Sequence, residues 1–136
     1  MAAKVIEAIR GLERDRFRAM VDGNGPLLDS LLSEKVVFHS PILHTPQVGK
    51  ALTKQYLVAA LGILLNDSFR YVREVSNSRD AVLEFRVEVE GLIVNGVDMI
   101  QWDETGQIVE FKVMLRPLKA INLIHQKMAA LFGAGQ

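Results

Sequence analysis

The chain has 136 residues, the size of one domain. Apolar residues make up 49% of it and charged residues 24%, which suits a sizeable core and is too apolar for intrinsic disorder. The 16 Lys and Arg balance 16 Asp and Glu, which argues against nucleic-acid and anionic-membrane binding, and the lack of cysteine excludes disulfides, thiolate catalysis and cysteine-ligated zinc or iron–sulfur centres.

Met1 to Ala8 offers only Val5, Ile6 and Ala8 as an apolar block, too short for a secretory signal. Val5, Ile9, Leu12, Phe17, Met20 and Val21 then fall near helical spacing, with Arg10, Arg14 and Arg18 on the other side. Glu13 and Asp15 interrupt those arginines and Arg16, so this face reads as a solvated helix surface. Gly23-Asn24-Gly25 breaks the helix, and Pro26 suits the first turn of a short second one reaching about Ser33. Val36 to Ser40 is a short strand candidate, followed by an irregular stretch between Pro41 and Pro46 that holds His44. A third helix is expected from about Val48 to Leu65. Its second half, Tyr56 to Leu65, is the longest apolar run, with ten residues. That is about half of what a membrane-spanning helix needs, so a cytoplasmic protein with no membrane association is expected.

Alternation then takes over. Phe69, Tyr71, Arg73 and Val75 make one strand face. After Ser76-Asn77-Ser78, Ala81, Leu83, Phe85, Val87 and Val89 alternate with polar residues, one face buried and one wet. A turn near Gly91 leads to a strand from about Leu92 to Asp103, and Asp103-Glu104-Thr105-Gly106 to another from about Gln107 to Leu115. That strand puts Val109, Phe111, Val113 and Leu115 on one face. Glu110, Lys112, Met114 and Arg116 share the other, which suits solvent or a dimer contact. Pro117 opens a last helix with Leu118, Ile121, Ile124, Met128, Leu131 and Phe132 as its apolar stripe and Gly133 as its stop. Strands joined by short turns predict an antiparallel meander, and helices grouped at the ends make the fold α+β.

One acid stands out. Leu92, Val94, Gly96, Asp98, Ile100 and Trp102 share a strand face, and Asp98 is its only charge. A carboxylate facing a packed core without partners is very costly. Asp98 is therefore paired, protonated or open to a cavity; burial in apolar surroundings would raise its pKa and make it a donor near neutral pH. Pairing with an Arg, capping at a bulge, or a register slip at Gly96 that turns Asp98 to solvent are the structural alternatives.

The stretch from Gly96-Val97-Asp98 through Trp102-Asp103-Glu104-Thr105-Gly106 to Glu110 resembles the last hairpin of the nuclear-transport-factor-2-like superfamily, in its SnoaL-like and ketosteroid-isomerase-like branch. The long first helix, the Gly-broken turn, Val36 to Pro41 and Gly49 at a helix start follow the same order, and the likeness runs to about Leu115. It implies a cone: a curved antiparallel sheet wrapped around N-terminal helices, with an inner pocket and a homodimer formed through the sheet's outer face. The last helix lies beyond that pattern and is expected over the cone mouth or a partner subunit. Members isomerise, cyclise or hydrolyse small apolar molecules, or only bind, so the fold does not decide the activity.

The likeness carries over residue by residue. Asp98 falls where ketosteroid isomerases keep a protonated acid that donates to the enolate oxygen. Ser40 falls where they carry the carboxylate base, and Phe17 near their oxyanion-hole Tyr, so ketosteroid isomerisation by that mechanism is not expected. His44 and Tyr56 are the remaining candidates for a second acid–base group. The implied pocket takes Phe17 and Met20 from the first helix, Phe38 and Ser40 from the first strand, and Tyr56 and Leu61 from the third helix. The later strands supply Phe85 and Val87, then Asp98, Ile100 and Trp102, then Phe111 and Val113. Alternation turns His39 away from the pocket, His125 reads as structural, and no spacing suggests a metal or cofactor.

Three functions fit. The first is a binder of a small hydrophobic carbonyl or hydroxyl compound, with Asp98 as the main polar contact. The second is an acid–base enzyme (isomerase, cyclase or hydrolase) acting on such a compound. The third is a non-catalytic dimeric interaction module with a filled interior.

Overall fold

The computed structural model describes residue 7 and residues 25–132. Phe17 and Met20, with the rest of the expected first helix apart from Glu7, lie outside the described residues. From residue 25 the order is α1 (Gly25–Leu31), β1 (Leu32–His39), β2 (Gln47–Val48), α2 (Lys50–Leu64), β3 (Arg70–Ser76), β4 (Asp80–Val89), β5 (Leu92–Trp102), β6 (Ile108–Arg116) and α3 (Leu118–Phe132). The architecture is α+β, with one open sheet in the order β2-β1-β6-β5-β4-β3.

The meander holds for β3 to β6, whose neighbours all pair antiparallel. The sheet as a whole is mixed, because β1 runs parallel to β6. No hairpin joins these two strands, so nothing forces them antiparallel. Leu32 already pairs with Ile108 and is wholly buried, so α1 ends before Ser33. Val48 pairs with Val37 in the short β2, and Gly49 N–H donates to Val36 O at 2.8 Å. The sheet thus holds the chain up to the start of α2.

Val89 stands opposite Leu92, leaving Glu90-Gly91 as a two-residue turn with φ of 49° and 82°. Both residues are left-handed, as the hairpin twist requires, and glycine takes that conformation freely. The β4–β5 ladder runs without a shift from Asp80–Gln101 to Val89–Leu92, so nothing slips beside Gly96. Gly96 has a packing role instead: a Cβ there would lie 2.2 Å from Phe85 Cζ and 2.8 Å from Leu115 Cδ2.

Two bulges rewrite the expected faces. Between Gln101–Glu110 and Trp102–Ile108 one extra residue, Val109, sits in β6. Ile108 therefore takes the core position expected of Val109, at 1% exposure. In β3, Tyr71 stands opposite Phe85 but Arg73 opposite Glu84, with Val72 bulged between them. Beyond it the alternation inverts, so Arg73 meets Glu84 at 3.5 Å and Val75 is exposed.

The buried side chains form two clusters. One gathers Leu32, Val36, Leu57, Leu83, Trp102 and Ile108 with their neighbours. The other gathers Phe69, Phe85, Val87, Val94, Ala120 and Ile124 with theirs. The last helix packs on α2, β5 and β6 with Ala120 and Ile124 buried, but Leu118 and Leu131, near the two ends of the expected stripe, are exposed, and Ala120 takes a core position that the stripe did not include. Pro117 sits just before it, its carbonyl accepting from the N–H of Ala120 at 3.0 Å and Ile121 at 3.1 Å. No helix among the described residues is long and apolar enough to cross a membrane.

Candidate functional site

On β5, Val94 belongs to one core cluster and Ile100 to the other. Asp98 lies between them and belongs to neither. Its ladder neighbours are Leu83 on β4 and Val113 on β6, so neither side supplies a charge. A cavity of about 80 Å³ opens at this gap. Asp98, Phe85 and Val113 line it from the sheet, Leu57 and Leu61 from α2, and Ile124 and Met128 from α3.

Asp98 is half-buried as a residue: it lines the cavity among apolar side chains. It has no hydrogen bond or ion pair with any described residue. Desolvation pushes its pKa from 3.8 to about 7, because a low-dielectric wall disfavours the charged form. The group therefore titrates around neutrality, and in its protonated form it is an unused donor aimed at an apolar space. Among the described residues, Arg73 pairs with Glu84 and Arg79 with Glu104.

The other predicted site residues separate into three groups. Phe38, Ser40, Tyr56, Leu61, Phe85, Phe111 and Val113 line the same cavity as Asp98. Val87, Ile100 and Trp102 face the same side of the sheet but do not line it; each is at most 2% exposed and packed into a core cluster. Trp102 is tied there by its indole N–H, which donates to Ser78 O at 3.0 Å. His44 does not line the Asp98 cavity; it borders an outer cleft with His39 and Lys112.

Ser40 Oγ accepts from Ile42 N–H at 3.0 Å and Leu43 N–H at 3.3 Å, which folds the chain back after β1. Its oxygen is thus engaged in holding the loop. Tyr56 stacks on Phe38 at 6.1 Å and meets Phe132 at 5.1 Å. His39 Nε2 lies 3.6 Å from Glu110 Oε2 on the outer sheet face. His125, expected to be structural, is exposed and borders a groove between α2 and α3. Among the described residues no cluster of three or more metal-ligating side chains forms.

Residues that the sequence reading did not place in the cavity include Leu64, Leu65 and Phe69, from the α2 end and the turn after it. Ile124 and Met128 were legible as an inward stripe, but nothing in their spacing says that the stripe walls a cavity.

No family model matches the chain, and no curated protein matches it. Solved structures do. A steroid delta-isomerase from Pseudomonas aeruginosa superposes with a TM-score of 0.84 at 32% identity, over 96% of this chain and 90% of that one. A SnoaL-like structure from Jannaschia sp. CCS1 has a TM-score of 0.71 at 11% identity, over 90% and 92%. An NTF2-like protein of unknown function from Mesorhizobium loti has a TM-score of 0.65 at 18% identity, over 85% and 93%. The last two share the fold; the first adds identity along nearly the whole chain, and with it the chain belongs to the nuclear-transport-factor-2-like superfamily.

Proposed function

We propose that this protein binds a small, largely apolar compound through its carbonyl or hydroxyl oxygen, with protonated Asp98 as the donor. The observation that carries this reading is a carboxyl in an apolar cavity, without a partner among the described residues and with its pKa lifted to about 7. Apolar sites with one or two placed polar groups are the usual form of small-molecule pockets. The likeness to a steroid delta-isomerase supports a carbonyl compound as the ligand class. Ketosteroid isomerisation is not proposed, since Ser40 has no carboxylate and its oxygen is engaged by two backbone N–H groups.

The test is a thermal-shift and calorimetric panel of small ketones and alcohols at pH 6. Saturable binding that Asp98→Ala weakens about tenfold, the worth of one hydrogen bond to an otherwise unpaired group, is the expected result. A panel without binders, or equal binding by the variant, overturns the reading.

A second reading, acid–base turnover of such a compound, is favoured by Tyr56 lining the same cavity as Asp98. It requires Asp98→Asn to lose turnover while keeping affinity. A homodimer through the outer sheet face fits the exposed Val75, Ile93 and Met114 there. Sedimentation of Met114→Glu against the parent chain tests it, with a monomer expected from the variant alone.

A further inference from the structure

Resting on the reading that the Asp98 cavity binds an apolar compound, we propose that the site has two chambers. The ligand's carbonyl end sits in the inner cavity, and its chain continues past Tyr56 and Met128 into the groove between α2 and α3. The ligand class is therefore an elongated molecule, with a carbonyl near one end and an uncharged polar group such as a hydroxyl at the other.

Size is the first argument. The inner cavity, at about 80 Å³, is roughly half of the ~150 Å³ apolar cavity that holds benzene. By that scale it takes about three or four carbons. The groove offers about 280 Å³ more, and the two together reach the lower part of the ~300–1,000 Å³ range of small-molecule sites.

Continuity is the second. Ser40, Ile42, Tyr56 and Met128 line both spaces, so the two adjoin there, and in the proposal these residues form the neck. Met128 is unbranched and half-buried, a side chain that adapts to what passes it. Tyr56 is held on one side by the Phe38 ring and on the other by Phe132, which also lines the groove. The neck is thus built partly from the last helix, α3.

Chemistry is the third. The groove keeps an apolar floor in Leu52, Ala129 and Phe132, and adds Gln55 and His125, both exposed. These offer amide and imidazole hydrogen bonds to a polar terminus at the far end of the ligand. No Lys, Arg, Asp or Glu lines the groove among the described residues, which favours an uncharged terminus.

Straight-chain methyl ketones from 2-butanone to 2-dodecanone test this by calorimetry on the parent chain, Asp98→Ala and Ala129→Trp. With two chambers, affinity climbs about fourfold per methylene past 2-hexanone and on to about ten carbons. Ala129→Trp fills the groove and lowers the ratio of long-chain to short-chain affinity at least tenfold. If affinity levels off by 2-hexanone, or if that ratio survives Ala129→Trp, the second chamber is overturned while binding at Asp98 stands. If no ketone binds, or if Asp98→Ala binds the whole series as the parent does, both readings fall. The length series needs no variant, so it decides the matter even if Ala129→Trp does not fold.

Discussion

Replacing Asp98 with Asn should stabilise the protein by an amount that depends on pH. Asn keeps the size of the side chain and a donor but cannot ionise. The folded carboxyl has its pKa near 7 against an ordinary 3.8. Below about pH 4 the acid is protonated in both folded and unfolded chains, and nothing is lost. Between about pH 4 and pH 7 the unfolded chain releases the proton and the folded one keeps it, so stability falls as pH rises. Above 7 both forms are ionised and the loss levels off. At ~1.4 kcal/mol per pH unit the full span is worth about 4 kcal/mol. Asp98 is half-buried as a residue and lines the cavity, so water reduces this to about 2–3 kcal/mol. Urea unfolding of both proteins from pH 4 to pH 8.5 measures the difference, and groups common to both cancel. The expected curve rises through the window and flattens above pH 7.5. A difference that is flat from pH 4 to pH 8, or that falls, would refute an Asp98 desolvated in its cavity.

Gly96→Ala should cost about 1–3 kcal/mol in urea, because its Cβ would lie 2.2 Å from a Phe85 ring that is already stacked on Phe69 at 5.2 Å; an unchanged midpoint would show that the ring has room to move. Trp102→Phe should cost about 2–3 kcal/mol, from the void at a fully buried site and the loss of the indole N–H bond to Ser78 O. That variant is followed by circular dichroism, since the chain has one tryptophan. The Thr105 hydroxyl donating to Asp103 is the main cause of the lowered Asp103 pKa, so Thr105→Val should raise it toward the ordinary value in an NMR titration.

Asp98 was legible because it lies on an uninterrupted ladder: from Asp80–Gln101 to Val89–Leu92 each step on β4 matches one on β5, so period-two reading tracks the faces. The same reading fails at Val109 and beyond Val72, where one extra residue inverts the alternation. Neither bulge carries a Gly or Pro signal. The parallel β1–β6 pair joins segments far apart in sequence, and the two-residue β2 is too short to show a pattern. Alternation also assigns a face but not a depth. Ile100 and Trp102 share Asp98's face, yet they are packed shut against Leu83 and Ile108. Only the gap between the clusters leaves space, and that gap depends on how α2 and α3 settle on the sheet. His44 sits in an irregular stretch whose path no local periodicity encodes, and the chain carries it to the outer cleft.

Binding and catalysis make opposite demands on one carboxyl with a pKa of about 7. Donation to a carbonyl oxygen requires the protonated form. Affinity for a ketone should then hold steady below pH 7 and weaken about tenfold per pH unit well above it, because each ligand bound holds one proton on the protein. Proton abstraction from carbon requires the ionised form, and a rate carried by Asp98 as base should rise through pH 7 and level off above it. Ser40 cannot take the proton-abstracting task while its oxygen accepts from Ile42 and Leu43. Kd and initial rate for one ketone, measured from pH 5 to pH 9, therefore separate the two readings without any mutation. A Kd that rises above pH 7 with no turnover identifies a binder. A rate that rises across the same range, and vanishes in Asp98→Asn, identifies an enzyme whose single acid works as its base. A Kd independent of pH across that range would exclude Asp98 as the donor in either reading.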